Sequence, residues 1–496
     1  MERKVEADSQ NESLETCNSI TETKDGFSEP ITIVVYPPKN KVFHYDSVSE
    51  SFQVQPVEVP DNITQNIKKS PQITLCQNSL EQKGTGLTPL VETCMIFQDE
   101  QIQDTNTSIE ASKDMFDCNY SVKQILKVDK VFNESKLKEK CFLKGCKWSP
   151  DGLCLLTSSN DNILSLFEVT EHLITNPRND VSPVLQMKEG GIIYDYEWYP
   201  QMNSSDPLSC VFASASQESP IHLWDAYTGN LRATYQPINQ FDEVTPAYSV
   251  AFSPEGSKLY SGYKKIIRIF NICYPGRVFE ERQLKIKGNP VFQTNIASTI
   301  SISTAMPGLY AVGCYDKTIG LYGEPEGDLL FVLHGHTGGV TQIRFSQDGH
   351  YLFSGGRMDP EILCWDIRNP GKLVYSILRK VDTQQKIQFD LSSDGTYLIT
   401  GTTDGNIKLY NVKNPPTKEN ILEPVAIWKG HEDCVNGLNF HPSNSLLASA
   451  SGQRHFSFVS GDESGDDSNE EYTTIENSLK IWSLDLSQQT REKLKV

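Results

Sequence analysis

From about residue 120 onwards, short apolar runs alternate with clusters of turn residues, and the helical spacing of apolar positions is nearly absent. Runs of this length, rich in β-branched and aromatic residues, predict strands. Seven of them end in an aromatic residue, and in six an acid stands six residues earlier. The segments are DNILSLF (161–167), ESPIHLW (218–224), KKIIRIF (264–270), DKTIGLY (316–322), DPEILCW (359–365), DGNIKLY (404–410) and ENSLKIW (476–482).

The spacing of these seven aromatic residues is typical of four-stranded repeats. Successive steps measure 57, 46, 52, 43, 45 and 72 residues, and a blade of the WD-repeat kind needs about 40–45 residues. The excess marks insertions, of which the largest lies in the last unit. Four units also carry a hairpin turn with glycine where a positive φ is required, at 149–152, 253–256, 346–349 and 392–395.

Seven such units predict an all-β fold, a seven-bladed WD-repeat β-propeller. Trp482 ends a third strand and little chain follows it, so the last blade lacks a fourth strand. We expect QILKVDKVF (124–132) to supply that strand and to close the ring. The propeller is expected to span 116–488, with an acidic loop insertion at about 457–478 and a short tail at 489–496.

One repeat carries a complete hydrogen-bonding set of the WD-repeat kind, in His336, Ser354, Asp359 and Trp365. The last repeat has the same placement in His431, Ser449 and Trp482. A histidine that follows a glycine at the start of a blade is expected to be a structural donor rather than a metal ligand. The twelve cysteines contain no C-x-x-C pair and are expected to be free thiols, so neither a metal nor a cofactor is predicted.

The formal net charge of −19 is concentrated outside the repeats. Residues 1–115 carry 19 acids and 9 bases, and residues 460–478 carry seven acids and no base, which leaves −2 for the remainder. Residues 1–115 also show no sustained period, so they are expected to be a disordered tail with one isolated strand-like run, ITIVVYP (31–37). A membrane is not expected as a partner, because no apolar run approaches the ~18 residues of a spanning helix.

Propellers bind ligands mostly on the face formed by the inter-blade loops and by the loops between second and third strands. Lysine and arginine side chains in the loops of this face can contact RNA phosphates, while unstacked nucleobases of a single-stranded RNA loop can lie on aromatic rings. The same composition suits a peptide, so a protein–protein adaptor or scaffold stays open. The candidate residues are Tyr194, Gln217, Tyr248, Tyr263, Lys264, Lys265, Tyr315, Arg357, Lys386, Arg454, His455 and Phe456.

An enzyme is not expected. The sequence contains no G-x-S-x-G, Walker loop, H-E-x-x-H or paired catalytic carboxylate in a plausible context. The acids at the repeat positions are expected to stabilise turns, so their number does not indicate catalysis.

Some stretches are more specific than a WD repeat. Residues 120–485 resemble the telomerase Cajal body protein family, the WD-repeat antisense-to-p53 proteins of animals, and the likeness does not extend into the N-terminal tail. The motifs that carry it are FLKGCKWSPDG (142–152), IIYDYEWYPQM (192–202), SPIHLWDAYTGNLRATY (219–235), FSGGRMDPEILCWDIR (353–368) and LLASASGQRHF (446–456).

The resemblance implies an RNA-binding protein that recognises a loop motif, the CAB box, of small Cajal-body box H/ACA RNAs and of telomerase RNA. It implies that the propeller directs the particle to Cajal bodies in the nucleus, with a cytoplasmic pool in addition. The implied partners are the box H/ACA particle proteins, telomerase reverse transcriptase, coilin and the survival of motor neuron protein. Within such a ribonucleoprotein the chain would be monomeric.

Overall fold

Seven blades around a central channel form the structure, a computed structural model in which the apolar runs have become strands. In each blade the chain meanders outwards from an inner strand to an outer strand, with antiparallel pairing throughout. The expectation of an all-β seven-bladed propeller is confirmed. The structure describes residues 34–35, 42–46, 51–55, 121–128, 141–175, 181–285, 293–369, 371–416, 420–443, 445–454 and 476–485.

The strands are numbered in chain order within these residues. Ahead of the blades lie β1 (Val34–Val35), β2 (Val42–Asp46), β3 (Ser51–Gln55) and β4 (Ser121–Val128). Blade 1 contains β5 (Leu143–Trp148), β6 (Cys154–Ser159), β7 (Ile163–Glu168) and β8 (Leu185–Lys188), with helix α1 (Glu171–Thr175) before β8. Blade 2 contains β9 (Ile193–Trp198), β10 (Val211–Ser216), β11 (Ile221–Asp225) and β12 (Leu231–Tyr235). Blade 3 contains β13 (Ser249–Phe252), β14 (Lys258–Gly262), β15 (Ile266–Asn271) and β16 (Glu280–Gln283).

Blade 4 contains β17 (Ala297–Ile302), β18 (Leu309–Cys314), β19 (Thr318–Gly323) and β20 (Asp328–His334). Blade 5 contains β21 (Val340–Phe345), β22 (Tyr351–Gly356), β23 (Glu361–Asp366) and β24 (Lys372–Leu378). Blade 6 contains β25 (Phe389–Leu391), β26 (Tyr397–Gly401), β27 (Asn406–Asn411) and β29 (Ala426–Lys429), and β28 (Ile421–Leu422) lies in the connection before β29. Blade 7 contains β30 (Val435–Phe440), β31 (Leu446–Ser451) and β32 (Leu479–Asp485).

The fourth strand of blade 7 comes from the N-terminal side of the propeller, which confirms the expected closure. Strand β4 pairs antiparallel with β32, with Leu126 opposite Ile481. Leu126 and Val128 are buried at 4% and 1% exposure in the same core cluster as residues of blade 1. The strand begins at Ser121, three residues earlier than predicted, and residues 129–132 of the predicted segment lie outside the described part of the chain.

Short strands outside the meander extend two blades. Strand β1, within the predicted run 31–37, pairs antiparallel with the outer strand β20 of blade 4, and β28 adds in parallel to β24 of blade 5. Strands β2 and β3 form a two-stranded sheet. The rest of the segment 1–115, predicted as a disordered tail, and the insertion at 457–475 lie outside the described residues.

The repeat residues pack where blade meets blade. Of the seven aromatic residues that end the third strands, six are less than 9% exposed and Trp224 is half-buried. The turn glycines Gly152, Gly256, Gly349 and Gly395 have φ of 78°, 75°, 72° and 66°, as the hairpin turns require. All eight described cysteines have free thiols. No described helix is long and apolar enough to cross a membrane.

A belt of polar side chains ties each inner strand to the backbone of the next one. Neighbouring inner strands belong to different sheets and share no ladder of hydrogen bonds, so these contacts fix their relative height. The belt is Lys147 Nζ to Tyr196 O (2.5 Å), Val250 N to Asp195 Oδ2 (3.2 Å), Ser249 Oγ to Ala297 O (2.9 Å), Ser298 Oγ to Val340 O (2.5 Å), Gln342 Nε2 to Phe389 O (2.7 Å), Phe440 N to Asp390 Oδ2 (2.9 Å) and Trp148 N to Asn439 Oδ1 (2.6 Å).

Candidate nucleic-acid interface at the channel mouth

The meander decides which loops share a face. Every inner strand follows an inter-blade loop, so all inter-blade loops open on one end of the channel, together with the loops between second and third strands. Six blades each bring one ring or one cation to this end, at the rim of the channel. We call these six residues the channel mouth: Lys144, Tyr194, Tyr248, Tyr315, Arg357 and Lys386.

Two pairs of side chains form the aromatic half of the mouth. The rings of Tyr194 and Tyr248 lie 5.0 Å apart at 34°, and the Arg357 guanidinium lies 4.1 Å above the centre of the Tyr315 ring. Burial raises the pKa of Tyr194, and the nearby Tyr248 and Tyr315 raise it further. The three rings are therefore neighbours, although 121 residues separate the first from the last. All are half-buried, so part of each surface stays open to a ligand.

Glycine at 338 and 339 lets the backbone of blade 5 pack closely against the loop of Arg357 and against Tyr315 of blade 4. A Cβ on Gly338 would lie 1.8 Å from the carbonyl oxygen of Arg357, and a Cβ on Gly339 would lie 3.1 Å from the Tyr315 backbone. The backbone N–H of Arg357 donates to the carbonyl of Gly339 at 3.0 Å. The Gly-Gly pair of HGHTGG thus positions the cation over the tyrosine.

The cationic half of the mouth includes Lys386, which the sequence predicted, and Lys144, which it did not. Lys386 reaches from the loop between blades 5 and 6 to blade 2, where its Nζ lies 3.7 Å from Asp195 Oδ1. Lys144, at the start of β5 in blade 1, donates to the carbonyl of Ile193 in blade 2. Lys144 is the second residue of its inner strand, as Tyr194 is of β9, so both lie at the same end of the channel. The available signal was that Lys144 and Lys147 are the charged residues of a strand that is otherwise uncharged.

The other candidate residues do not join the mouth. Tyr263 does not lie on the rim, where it was expected. It is 5% exposed, packs in the core of blades 2 and 3, and its ring lies 4.9 Å from the Arg268 guanidinium. Lys264 and Lys265 are exposed beside it, and Arg454 is exposed on blade 7. Gln217 is half-buried, with its amide 3.5 Å from Glu218. His455 and Phe456 lie outside the described residues.

His336 is the centre of a buried network in blade 5. Its Nδ1–H donates to Asp359 Oδ2 at 2.8 Å, and its Nε2 accepts from the Ser354 hydroxyl at 2.7 Å. The Trp365 indole donates to the same hydroxyl at 2.9 Å. Burial by itself would raise the pKa of Asp359, but the hydrogen bond and the charge of His336, together with the backbone N–H groups of Glu361 and Gly338, hold that pKa below its usual value.

Replacement of His336 by alanine should destabilise the propeller without changing any metal content. The change removes the hydrogen-bond partner of the buried Asp359 carboxylate and of the Ser354 hydroxyl, so we expect the free energy of unfolding to fall by about 2–3 kcal/mol. Denaturant unfolding and elemental analysis measure the two quantities. His172→Ala, at an exposed position of α1, is the matched control and should leave both unchanged. A loss of bound zinc in the His336 variant would contradict a purely structural role.

The network predicted for blade 7 is present, with Ser478 in the place of the aspartate, and in blade 2 a glutamate that the sequence pattern did not indicate takes the central place. In blade 7, His431 bonds Ser478 and Ser449, at 3.1 and 2.7 Å. In blade 2 the buried Glu189 carboxylate accepts from Ser216 and from the Trp224 indole, at 2.9 and 3.1 Å. The repeat acid Glu218 is exposed instead, so it is not the structural carboxylate of its blade.

Comparison with known proteins first gives the class. Residues 135–168, 327–366, 380–411 and 422–457 match the family described as WD domain, G-beta repeat. With the seven closed blades, the protein is a WD-repeat β-propeller that carries a ring of aromatic and basic residues at one mouth of its channel.

Relatives then give the family. The chain is 41% identical to human Telomerase Cajal body protein 1 over 377 residues, which cover 73% of this chain and 68% of the relative. It is 44% identical to the mouse protein of that name over 329 residues (66% and 61%) and 36% identical to the fruit-fly homolog over 328 residues (64% and 58%). The chain belongs to the telomerase Cajal body protein family. It spans about three-fifths of the length of the mouse relative.

Proposed function

We propose that this chain is a non-catalytic RNA-binding propeller that recognises the CAB-box loop of small Cajal-body box H/ACA RNAs and of telomerase RNA, and directs these particles to Cajal bodies. The convergence of three tyrosines and three cations on one channel mouth carries the proposal. A single-stranded loop offers unstacked bases to the rings and phosphates to the cations, and stacking contributes about 1–3 kcal/mol per base.

The names of the relatives support the setting. They are called telomerase Cajal body proteins, so we infer a nuclear, Cajal-body location, with a cytoplasmic pool before import. The inferred partners are box H/ACA particle proteins, telomerase reverse transcriptase, coilin and the survival of motor neuron protein, with one copy of this chain per particle. RNA recognition would be local to the mouth, because the rest of the propeller is almost neutral.

A second candidate, a protein–protein adaptor, has its own support on the outer side of blades 2 and 3. Phe241, Tyr274 and Val278 are 73%, 67% and 75% exposed there. The segments that carry them touch through Arg277, whose Nη1 lies 3.1 Å from Asp242 Oδ1. Exposed apolar residues that gather on one surface favour contact with another protein.

Sequencing of RNA crosslinked to the purified full chain separates the two candidates. An RNA-binding propeller should give strong enrichment of box H/ACA small RNAs, with crosslinks at mouth tyrosines. A profile that matches total cellular RNA, without enrichment of any small RNA, would refute the proposed function and leave the adaptor.

A further inference from the structure

Two ammonium groups, one at the mouth and one in the channel, share one carboxylate. Asp195 Oδ1 lies 3.7 Å from Lys386 Nζ and 3.9 Å from Lys147 Nζ. Lys147 has a second partner, since its ammonium also donates to Glu197. Among the described residues, no carboxylate lies within ion-pair distance of the Lys144 ammonium. The mouth therefore holds more positive than negative charge at this point.

The surroundings of Lys144 show that this excess charge is costly. Burial lowers the pKa of Lys144 to about 8, the charge of Lys386 lowers it as well, and Asp195 raises it. Burial also lowers the pKa of Lys386, against the opposing charge of Asp195. The charged groups that face this pair are Asp195 and Glu197 from blade 2, Lys147 from blade 1 and, beyond Lys386, Arg344 from blade 5. Two poorly solvated cations that repel each other are stabilised by an anion placed between them.

We infer that the Lys144 and Lys386 ammonium groups together bind one backbone phosphate of the RNA, next to the Tyr194–Tyr248 pair. The inference rests on the proposed function and deepens it, because it assigns to the site a single phosphate of the loop. Lys144 thereby joins the binding residues, although it contacts no base. Asp195 is a positioning residue, since it directs Lys386 across the channel.

This assignment predicts that RNA binding is coupled to the uptake of a proton by Lys144. An anion between the two lysines returns the Lys144 pKa towards its ordinary value near 10.4, so RNA binding takes up a proton when Lys144 starts uncharged. The gain in affinity is therefore fully present below pH 8 and is lost as pH rises above it. Linkage gives a fall in affinity of about tenfold between pH 7 and pH 9.

The test measures affinity by fluorescence anisotropy for a hairpin RNA that carries the CAB box, with the full chain, at pH 7, 8 and 9. Lys144→Arg keeps its charge, so its affinity should be flat across this range apart from any effect of pH on the RNA itself. Lys144→Gln, which resembles the uncharged lysine, should bind on the order of a hundredfold more weakly at pH 7 and show the same flat profile. Lys413→Gln, at an exposed position just after β27, on the end of the channel opposite the mouth, is the matched control and should behave as the unchanged protein.

A chemical probe identifies the phosphate. Each loop phosphate of the hairpin is replaced in turn by a neutral methylphosphonate, and at one position the loss should equal that of Lys144→Gln and should not add to it. Inorganic phosphate at millimolar concentration should compete weakly, since the ring contacts would be absent. If Lys144→Gln binds with unchanged affinity and pH profile, the inference is wrong while the proposed function stands. If the unchanged protein does not bind the hairpin at any pH, the proposed function fails as well.

Discussion

The double variant Arg357→Ala, Arg454→Ala should lose at least nine-tenths of the small RNA that copurifies with the folded protein. Arg357 is the cation that lies over Tyr315, and Arg454 is exposed on the loop of blade 7 that leads into the insertion. A planar guanidinium can stack on a base or make paired hydrogen bonds. The loss of one stacking contact costs about 1–3 kcal/mol, which corresponds to about 5- to 150-fold in affinity.

Salt dependence shows whether these arginines act on phosphates or on bases. Each phosphate contact to a single strand contributes about 0.7 to the slope of log affinity against log salt, so the loss of two such contacts lowers the slope by about 1.4. Binding titrations at 50–300 mM salt measure it, with the thermal melt of each variant as a check on folding. The matched control is Arg277→Ala, Lys413→Ala, which removes two exposed charges away from the mouth. Equal RNA recovery from the two double variants would contradict an RNA site that includes Arg357 and Arg454.

Removal of residues 1–128 should prevent formation of a stable ring, while removal of residues 1–115 should leave it intact. The longer deletion takes away β4 and exposes the edge of β32, with its buried residues Leu479 and Ile481. Burial of Leu126 and Val128 contributes about 1.5–3 kcal/mol each, and the ion pair of Lys127 with Glu476 at 3.5 Å is lost too. An unpaired central edge also invites aggregation.

Circular dichroism and size-exclusion chromatography compare the two truncated chains at equal concentration. We expect the 116–496 chain to be monomeric with a sharp thermal transition, and the 129–496 chain to aggregate or to melt at least 10 °C lower. Equal melting temperatures would show that the ring closes without its N-terminal strand, against the pairing of β4 with β32.

Some features of the fold are local enough for the sequence to predict them. The aromatic residue at the end of each third strand and the glycine in each of the four hairpin turns depend on strand pleat and turn geometry within a few residues. The closing strand could also be predicted, because the count of strands in blade 7 was one short. Its start at Ser121 rather than Gln124 could not, since strand ends depend on the neighbouring edge.

The site was harder to predict, because its parts come from different blades. Tyr263 and Lys264 are adjacent in the same loop, yet one ring turns into the core of blades 2 and 3 while its neighbour is exposed. Glu189 replaces the repeat acid of blade 2 because it reaches Ser216 and Trp224 from the inter-blade loop. Loop composition contains no information about either choice.

The sequence by itself determined the all-β fold class, the number of blades and the chain segment that closes the ring. These features follow from apolar periodicity and turn chemistry, which act between near neighbours. Only the tertiary structure decided that Lys386 meets Asp195 across the channel and that Tyr194 lies against Tyr248. The physical reason is that a closed ring brings together residues that are far apart in the sequence, such as Asp195 and Lys386, which are 191 positions apart. The distance between them in space is set by several blade interfaces at once.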